Sequence, residues 1–367
     1  MLAPSHSKLL PIAPATVLIG PGVRAQLADV LNAHGPRVCV VTGAHVWPPL
    51  APELEKLAPE VYVYAPDCTE DACARAAGIA RGCDVVLGVG GGKAMDLAKL
   101  VGHAAARPVV NLPTSAATCA AWTGLGNFYD AAGAFQFGRV LSAPAGVVVD
   151  TELIARAPAR LLASGLADTL AKWVETSASV DYAAADQTTR AAYRMARFLY
   201  DEILEWGREA YADACAGRLT PTLSRAIETN ICLAGTVGGL GGERCRSVAA
   251  HAVHNALTQL PGHRASWHGE KVGFGILAQL LLEGREAEAR ALADFFAALE
   301  LPLTTGALGV TLDEPAWQRL TTHVCRPEST VHHLPFPVSP ARVREAIAAA
   351  DALGRAAVSP SIARSAS

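Results

Sequence analysis

The stretch Asp84 to Leu100, DVVLGVGGGKAMDLAKL, is the strongest constraint on how this chain folds. An apolar run of one strand's length, three successive glycines and a helix-patterned segment follow one another without a spacer. That order is strand, turn, helix, the half-unit of a parallel sheet. Gly90, Gly91 and Gly92 leave no Cβ over the turn, so a phosphate can approach the backbone. The free N–H groups and dipole at the helix N-terminus favour an anion there, and Lys93 adds a cation. The spacing is neither GxGxxG nor a Walker A sequence, and glycine clusters also serve as plain turn punctuation. Its place at the carboxyl end of a strand favours a dinucleotide.

The same alternation runs through the first part of the chain. Strand signals at Ala15–Ile19, Arg37–Val41, Val61–Tyr64, Asp84–Val89 and Pro108–Leu112 alternate with helical spacing at Val23–His34, His45–Leu57, Glu70–Arg81 and Lys93–Ala105. Later strands are expected at Val140–Leu141 and Gly146–Val149. Beyond Asp150 long helical segments take over, from Arg160–Ser179 to Pro340–Leu353. The expected fold is an α/β N-terminal dinucleotide-binding domain with a Rossmann-like parallel sheet over residues 1–153, and an all-α C-terminal metal-binding domain over 154–353. A mobile tail is expected over 354–367.

Bulk properties exclude several classes. A chain of 367 residues, 51% hydrophobic and 18% charged, can bury a large core in two domains. A net charge of −3 gives no electrostatic case for nucleic acid or an anionic membrane. No run has the length of a membrane span, and no basic segment with an apolar run behind it marks a leader. A cytoplasmic location follows as the expectation. The 9 cysteines are odd in number and form no CxxC, so they read as reduced thiols. Apolar helices in the second part suggest a homo-oligomer.

Chemistry concentrates in Ser247 to Leu280, which holds His251, His254, His263 and His268. Two helical segments flank a loop at Pro261–Gly262, and an antiparallel pair would turn His251 and His268 into one cleft. A lone buried imidazole is more often a hydrogen-bonded core residue than a ligand, so the cluster needs an oxygen donor. Asp168 supplies one, on the apolar helical segment ASGLADTLAKWVET. A carboxylate there costs free energy unless it is paired or metal-bound. The alternatives are an N-cap or a partnership with Lys172.

These residues carry a resemblance. The strings GVGGGKAMDLAK, NLPTSAATCAAWTGLGNFY, VVVDTELIARAPARLLASGLADTLAKWVE, AAHAVHNALTQLP and HGEKVGFG, in this order, resemble the iron-containing alcohol dehydrogenase superfamily in its glycerol dehydrogenase-like branch. The likeness extends over nearly the whole chain and implies the dehydroquinate synthase-like/glycerol dehydrogenase-like fold. It implies metal ligation by Asp168, His251 and His268, with His254 as their neighbour and a candidate proton relay. His263 then falls to the cleft entrance. Iron-type members add a His one turn after the Asp, where this chain has Lys172. Three ligands and an open position suit a catalytic zinc, with Fe2+ or Mn2+ as alternatives. The pattern has a Gly just before the Asp, where Ala167 stands here. Cofactor contacts are implied at Gly92, Lys93, Asp96, Thr114, Thr123, Leu125 and Tyr129. At the end of the second strand Thr42, Gly43 and Ala44 provide no carboxylate to repel a 2′-phosphate, so NADP is accommodated as well as NAD, with a slight lean to NADP. Arg37 and His45 are the nearby candidates to meet that phosphate.

One departure bears on substrate. Glycerol dehydrogenases carry an Asp where AATCAAW places Cys119. A neutral thiol neither holds polyol hydroxyls nor repels a carboxylate. With VGGLG and CRPESTVHHLP, the stretch is most similar to hydroxycarboxylate dehydrogenase A-like proteins. That implies interconversion of a small 2-oxo acid and its 2-hydroxy acid. Arg246 and Arg326 are candidate carboxylate anchors, although such arginines more often serve ion pairs. The competing readings are an NAD-linked glycerol dehydrogenase, a dehydrogenase of a phosphorylated polyol, a dehydroquinate synthase-like lyase (which uses Glu as first ligand) and a non-catalytic dinucleotide-binding protein.

Overall fold

The structure, a computed structural model, describes residues 10–57, 60–64 and 67–364. The α/β part runs β1 (Thr16–Gly20), α1 (Leu27–Asn32), β2 (Val38–Gly43), α2 (Trp47–Leu54), β3 (Glu60–Tyr64), α3 (Glu70–Ala80), β4 (Val85–Gly90), α4 (Gly92–Ala105), β5 (Val109–Pro113), β6 (Leu125–Tyr129), β7 (Phe135–Val140) and β8 (Gly146–Asp150). Six strands form one parallel sheet in the order β1-β8-β5-β4-β2-β3. Its middle strands are continuous apolar runs because both faces are covered by helices. Val38–Val41 and Val85–Val89 are buried throughout.

The chain leaves β2 in one direction, to β3, and β4 leads to β5 in the other. The carboxyl ends of β2 and β4 therefore flank a topological switch point, where a parallel sheet opens a crevice. Gly43 and Gly90 end those two strands. Strands β6 and β7 form a separate antiparallel hairpin. The sequence reading saw only the end of β7, because glycines and a turn interrupt the alternation in LGNFYDAAGAFQFGRV.

Strand β8 ends at Asp150 and, among the described residues, only helices follow: α5 (Thr151–Ala155), α6 (Ala159–Ser179), α7 (Gln187–Cys215), α8 (Pro221–Glu228), α9 (Ala234–Gly241), α10 (Ala249–Leu257), α11 (His268–Leu282), α12 (Glu286–Ala298), α13 (Glu314–Val324) and α14 (Pro340–Arg364). A π-helical turn, Thr229–Leu233, separates α8 from α9, which the sequence reading merged. Asp150 caps α5, accepting from the backbone of Glu152 and Leu153, and also binds Arg24 Nη1 at 2.8 Å and the Gly22 amide.

Helix α14 continues to Arg364, where a mobile tail was expected from 354. Gly354 explains the docking. A Cβ there would stand 1.9 Å from the Leu303 carbonyl oxygen, so only a glycine lets the helix lie on that loop. Residues 1–9 and 365–367 fall outside the described chain. All nine cysteines are free thiols, most of them buried. No helix of the described residues is long and apolar enough to cross a membrane.

Candidate active site

Three helices converge on one point. Asp168 lies within α6, His251 on the first turn of α10 and His268 at the start of α11. Two close approaches bring them together. At Gly269 a Cβ would meet the Ser164 carbonyl oxygen at 1.8 Å, and at Gly275 it would meet the Ala250 carbonyl oxygen at 2.3 Å. The first glycine seats the start of α11 on α6, and the second packs α11 on α10. The Gly269 amide also donates to Ser164 Oγ at 3.1 Å.

Asp168 Oδ1 stands 3.3 Å from His251 Nε2 and 3.6 Å from His268 Nε2. It is buried and accepts no hydrogen bond among the described residues. The outer nitrogens of both imidazoles are already engaged. His251 Nδ1 lies 2.7 Å from Glu175 Oε2, whose other oxygen accepts from the amides of Val248 and His251. His268 Nδ1 lies 3.0 Å from His254 Nε2, and His254 Nδ1 lies 2.9 Å from Asn255 Oδ1. The amide oxygen of Asn255 only accepts, so His254 donates from Nδ1 and accepts at Nε2. His268 therefore donates from Nδ1, which leaves its Nε2 lone pair facing Asp168. His251, donating to Glu175, does the same. Two lone pairs and a carboxylate oxygen meeting in a buried place call for positive charge, which a metal ion supplies. The donor set of one carboxylate and two imidazoles fits a divalent cation such as zinc.

The electrostatics agree with that demand. Burial pushes the Asp168 carboxyl up, but the Lys172 ammonium and the two imidazoles override it and hold it well below the usual carboxylate range. Without a cation a proton answers the same demand: burial pushes His251 down, but Glu175 and Asp168 outweigh it and raise it to about 9, so the ring takes up at Nε2 the positive charge that a metal ion would otherwise bring. His254 is held well below its ordinary value, by burial and then by the neighbouring charges of His268 and Lys271. That neutral ring positions His268. As a relay it would need an outlet for the proton, and Asn255 provides none.

The second half of the site is made mostly of backbone. Gly91, the residue before α4, has no capping side chain, so the amides of Gly92 and Lys93 have no acceptor among the described residues, while that of Ala94 turns back to the Gly91 carbonyl at 3.0 Å. Gly90 has φ of 142°, a conformation that favours glycine. Thr114 donates its amide to the Gly90 carbonyl at 2.9 Å, holding the following loop beside the turn. Lys93 is ion-paired with buried Asp67 and lies 5.2 Å from the centre of the Tyr129 ring. Asp96 is buried, 3.1 Å from Lys99 and bonded to Asn127, so its carboxylate is engaged inside the α/β part. Lys99 also donates to the carbonyls of Ala120, Thr123 and Leu125, fixing the loop that holds Thr123 and Leu125.

The other candidates separate. Arg37 precedes β2 at the amino edge of the sheet and is held by Asp84 at 2.6 Å, away from the crevice at the carboxyl edge. His263 lies 3.1 Å from the Ala132 carbonyl, in the contact between the helical part and the β6–β7 turn. Arg326 packs against His323 on a groove along α13, and no hydrogen bond or ion pair joins it to Asp168, His251 or His268. Arg246 and Cys119 lie in the electrostatic neighbourhood of Lys172, beside Asp168.

Sequence reasoning passed over Glu175, Asn255, Lys99 and Asp67. Glu175 had a signal: it lies seven residues after Asp168 on an apolar helix, hence on the same face. Asp67 had none. It binds Arg264 Nη2 at 2.5 Å, across nearly two hundred residues of sequence.

Comparison with known proteins places this architecture. Residues 14–151 match the model of the family described as iron-containing alcohol dehydrogenase. The chain is 36% identical over 363 residues to a glycerol dehydrogenase of Escherichia coli, covering 92% of this chain and 97% of that protein. It is 37% identical over 268 residues to hydroxycarboxylate dehydrogenase A of Escherichia coli, covering 71% and 73%. The crystal structure of glycerol dehydrogenase from Schizosaccharomyces pombe superposes with a TM-score of 0.85 at 27% identity, covering 97% of this chain and 93% of the other.

Proposed function

The chain belongs to the iron-containing alcohol dehydrogenase family, and from that premise we propose that it is a zinc-dependent, NAD(P)-linked dehydrogenase interconverting a small 2-oxo acid and its 2-hydroxy acid. It is an oxidoreductase of the alcohol dehydrogenase type, and dehydrogenases of this family use NAD(P) and a divalent metal. The observation that carries the reading is buried Asp168 Oδ1, without a hydrogen bond, facing the free nitrogens of His251 and His268.

A divalent cation held by Asp168, His251 and His268 supplies Lewis acidity to a carbonyl or alkoxide oxygen, and a bound nicotinamide supplies or accepts the hydride. The chain's own residues do the rest. Glu175 and His254 fix the two imidazoles in the tautomers that leave Nε2 free. Gly90, Gly91, Gly92 and the start of α4 offer amides to the dinucleotide phosphates, with Lys93 beside them. Gly43 leaves room at the neighbouring strand end; Thr114 lies beside the glycine turn and Tyr129 beside Lys93, with Thr123 and Leu125 on the loop that Lys99 fixes. The absence of a fourth imidazole, with Lys172 in its place, favours zinc over iron; Fe2+ and Mn2+ remain compatible with the same ligands. Absence of a carboxylate at Gly43 leaves NADP and NAD both accommodated. Cys119, neutral where a polyol enzyme has Asp, favours an anionic substrate.

A second reading is an NAD-linked glycerol dehydrogenase, favoured by the names of several relatives. A steady-state panel decides between them: 2-oxobutyrate, 2-oxoglutarate, dihydroxyacetone, glycerol and short aldehydes, each with NAD(H) and NADP(H) on zinc-loaded protein. The proposal expects kcat/KM for a 2-oxo acid at least tenfold above that for dihydroxyacetone. The reverse order selects the glycerol reading. Protein purified with tightly held NAD and no turnover of any of these would select a dehydroquinate synthase-like lyase.

A further inference from the structure

Beside Asp168 stand two cations whose side-chain N–H donors have no hydrogen-bond acceptor among the described residues. Lys172, one turn later on α6, is 4% exposed. Its ammonium lies 3.8 Å from Asp168 Oδ1, and no hydrogen-bond acceptor lies within reach of it among the described residues. An ammonium has three N–H donors, and those of Lys172 are left to whatever enters beside Asp168. Its one close counter-charge, Asp168, is also the carboxylate the metal centre claims. Glu175 lies nearby, but both its oxygens are taken by His251 and the Val248 amide.

Arg246, just before α10, has the same deficit. It is partly buried and its stem packs on Gly238; its amide donates to the Glu243 carbonyl at 2.9 Å, but its guanidinium has no hydrogen bond or ion pair among the described residues. Glu243, whose charge acts on Arg246, is exposed and lies beyond ion-pair distance. The two cations share a neighbourhood: Cys119 and Trp173, the residue after Lys172, pack against the cluster of Val237 and Cys245, and the Arg246 stem lies on Gly238 of the same helix as Val237; the Arg246 charge is felt at Lys172, and the Lys172 charge at the Cys119 thiol. Two cations facing a neutral thiol, next to a carboxylate committed elsewhere, make a place that an anion would complete.

We propose that Lys172 and Arg246, flanking Cys119, seat the carboxylate of the substrate next to the Asp168–His251–His268 centre. The pair then selects 2-oxo and 2-hydroxy acids over neutral ketones and polyols, as specificity-determining residues of the reaction proposed above. A guanidinium binds a carboxylate through two parallel N–H donors, and the lysine adds a point charge. The inference rests on the oxidoreductase reading but is separable from it by experiment.

The test uses oxamate, an unreactive analogue of a 2-oxo acid, and inorganic phosphate as the competing anion. Calorimetric titration of zinc-loaded full-length protein compares wild type with Lys172→Met, Arg246→Met and Arg246→Lys. Oxamate affinity should fall at least tenfold in each Met variant and be partly restored in Arg246→Lys. In parallel, the ratio of kcat/KM for 2-oxobutyrate to that for hydroxyacetone should fall at least tenfold in both Met variants. If Lys172→Met does not fold, Arg246→Met alone decides. Unchanged oxamate affinity and an unchanged ratio overturn the pocket, and leave the oxidoreductase reading standing if both ketones turn over. Phosphate binding tighter than oxamate overturns the carboxylate assignment. If neither ketone turns over, the oxidoreductase reading fails and oxamate binding still decides whether the cationic pocket exists.

Discussion

The crevice at the ends of β2 and β4 and the centre between α6, α10 and α11 are built from opposite materials. The crevice is backbone: three glycines, the open amides of α4, and a strand order that leaves a gap at the switch point. The centre is side chains, and both imidazoles are held by a second residue, His251 by Glu175 and His268 by His254. The lesson concerns tolerance. A backbone site depends on what is absent over it, so any added side chain harms it and few side chains define it. A side-chain site depends on the identity of every donor and, less steeply, of every support.

Substitutions can break or sharpen that contrast. The largest effect is expected at the donors. Asp168→Ala and His268→Ala should each lower kcat by at least about a thousandfold, on the scale of removing a group that acts at the reacting atoms. Dinucleotide affinity, measured by fluorescence titration, should stay within threefold. Near-wild-type turnover in either variant would remove the centre from the chemistry.

One step out, Glu175→Gln keeps the shape and removes the charge behind His251. Metal affinity, read by competition with a chromophoric chelator, should fall about 10–100-fold. A change below threefold would make the Glu175 contact merely structural.

Gly91→Ala tests the crevice. Its φ is −89°, and the added Cβ meets only Ser115 Oγ, at 3.6 Å, so the fold accommodates it. The methyl would stand over the approach to α4, and KM for the dinucleotide should rise about tenfold with metal content and melting temperature unchanged. An unchanged KM would place the phosphates elsewhere.

The smallest effect on turnover is expected at Asp150, where the two parts of the chain join. Burial pushes its carboxyl up, but hydrogen bonds from Arg24 and from the backbone amides outweigh that and hold it below its ordinary value. A depressed folded pKa stabilises the native state above the unfolded value near pH 4, and the contribution is lost as pH falls through the lower folded value. Asp150→Ala should cost about 2–3 kcal/mol at pH 7 in urea melts. The difference from wild type should shrink below about pH 4. A difference that persists unchanged to pH 2 would show that charge is not its source.

This contrast also explains what the sequence revealed. The glycine turn and the three donors were readable because each is a residue type that its chemistry requires. The parallel sheet was readable from buried strands such as VVLGV alternating with helices. The β6–β7 hairpin was not, since Gly126, Gly133 and Gly138 interrupt its alternation. Nor was the burial of Asp96 against Lys99 and Asn127, which depends on how a loop folds back on α4. The pairing of Asp67 with Arg264 joins residues remote in sequence, and no local pattern encodes it. Arg246 and Arg326 looked equivalent as anchors; only the fold separates the one near Asp168 from the one on the α13 groove.

The most direct measurement is a metal titration. Protein stripped with chelator is reloaded with zinc while bound metal and turnover are followed together, in wild type and in His268→Ala. The account predicts that wild-type turnover rises in proportion to zinc and saturates at one ion per chain, while His268→Ala neither retains zinc at that ratio nor turns over. Full turnover in the stripped wild-type protein would contradict it.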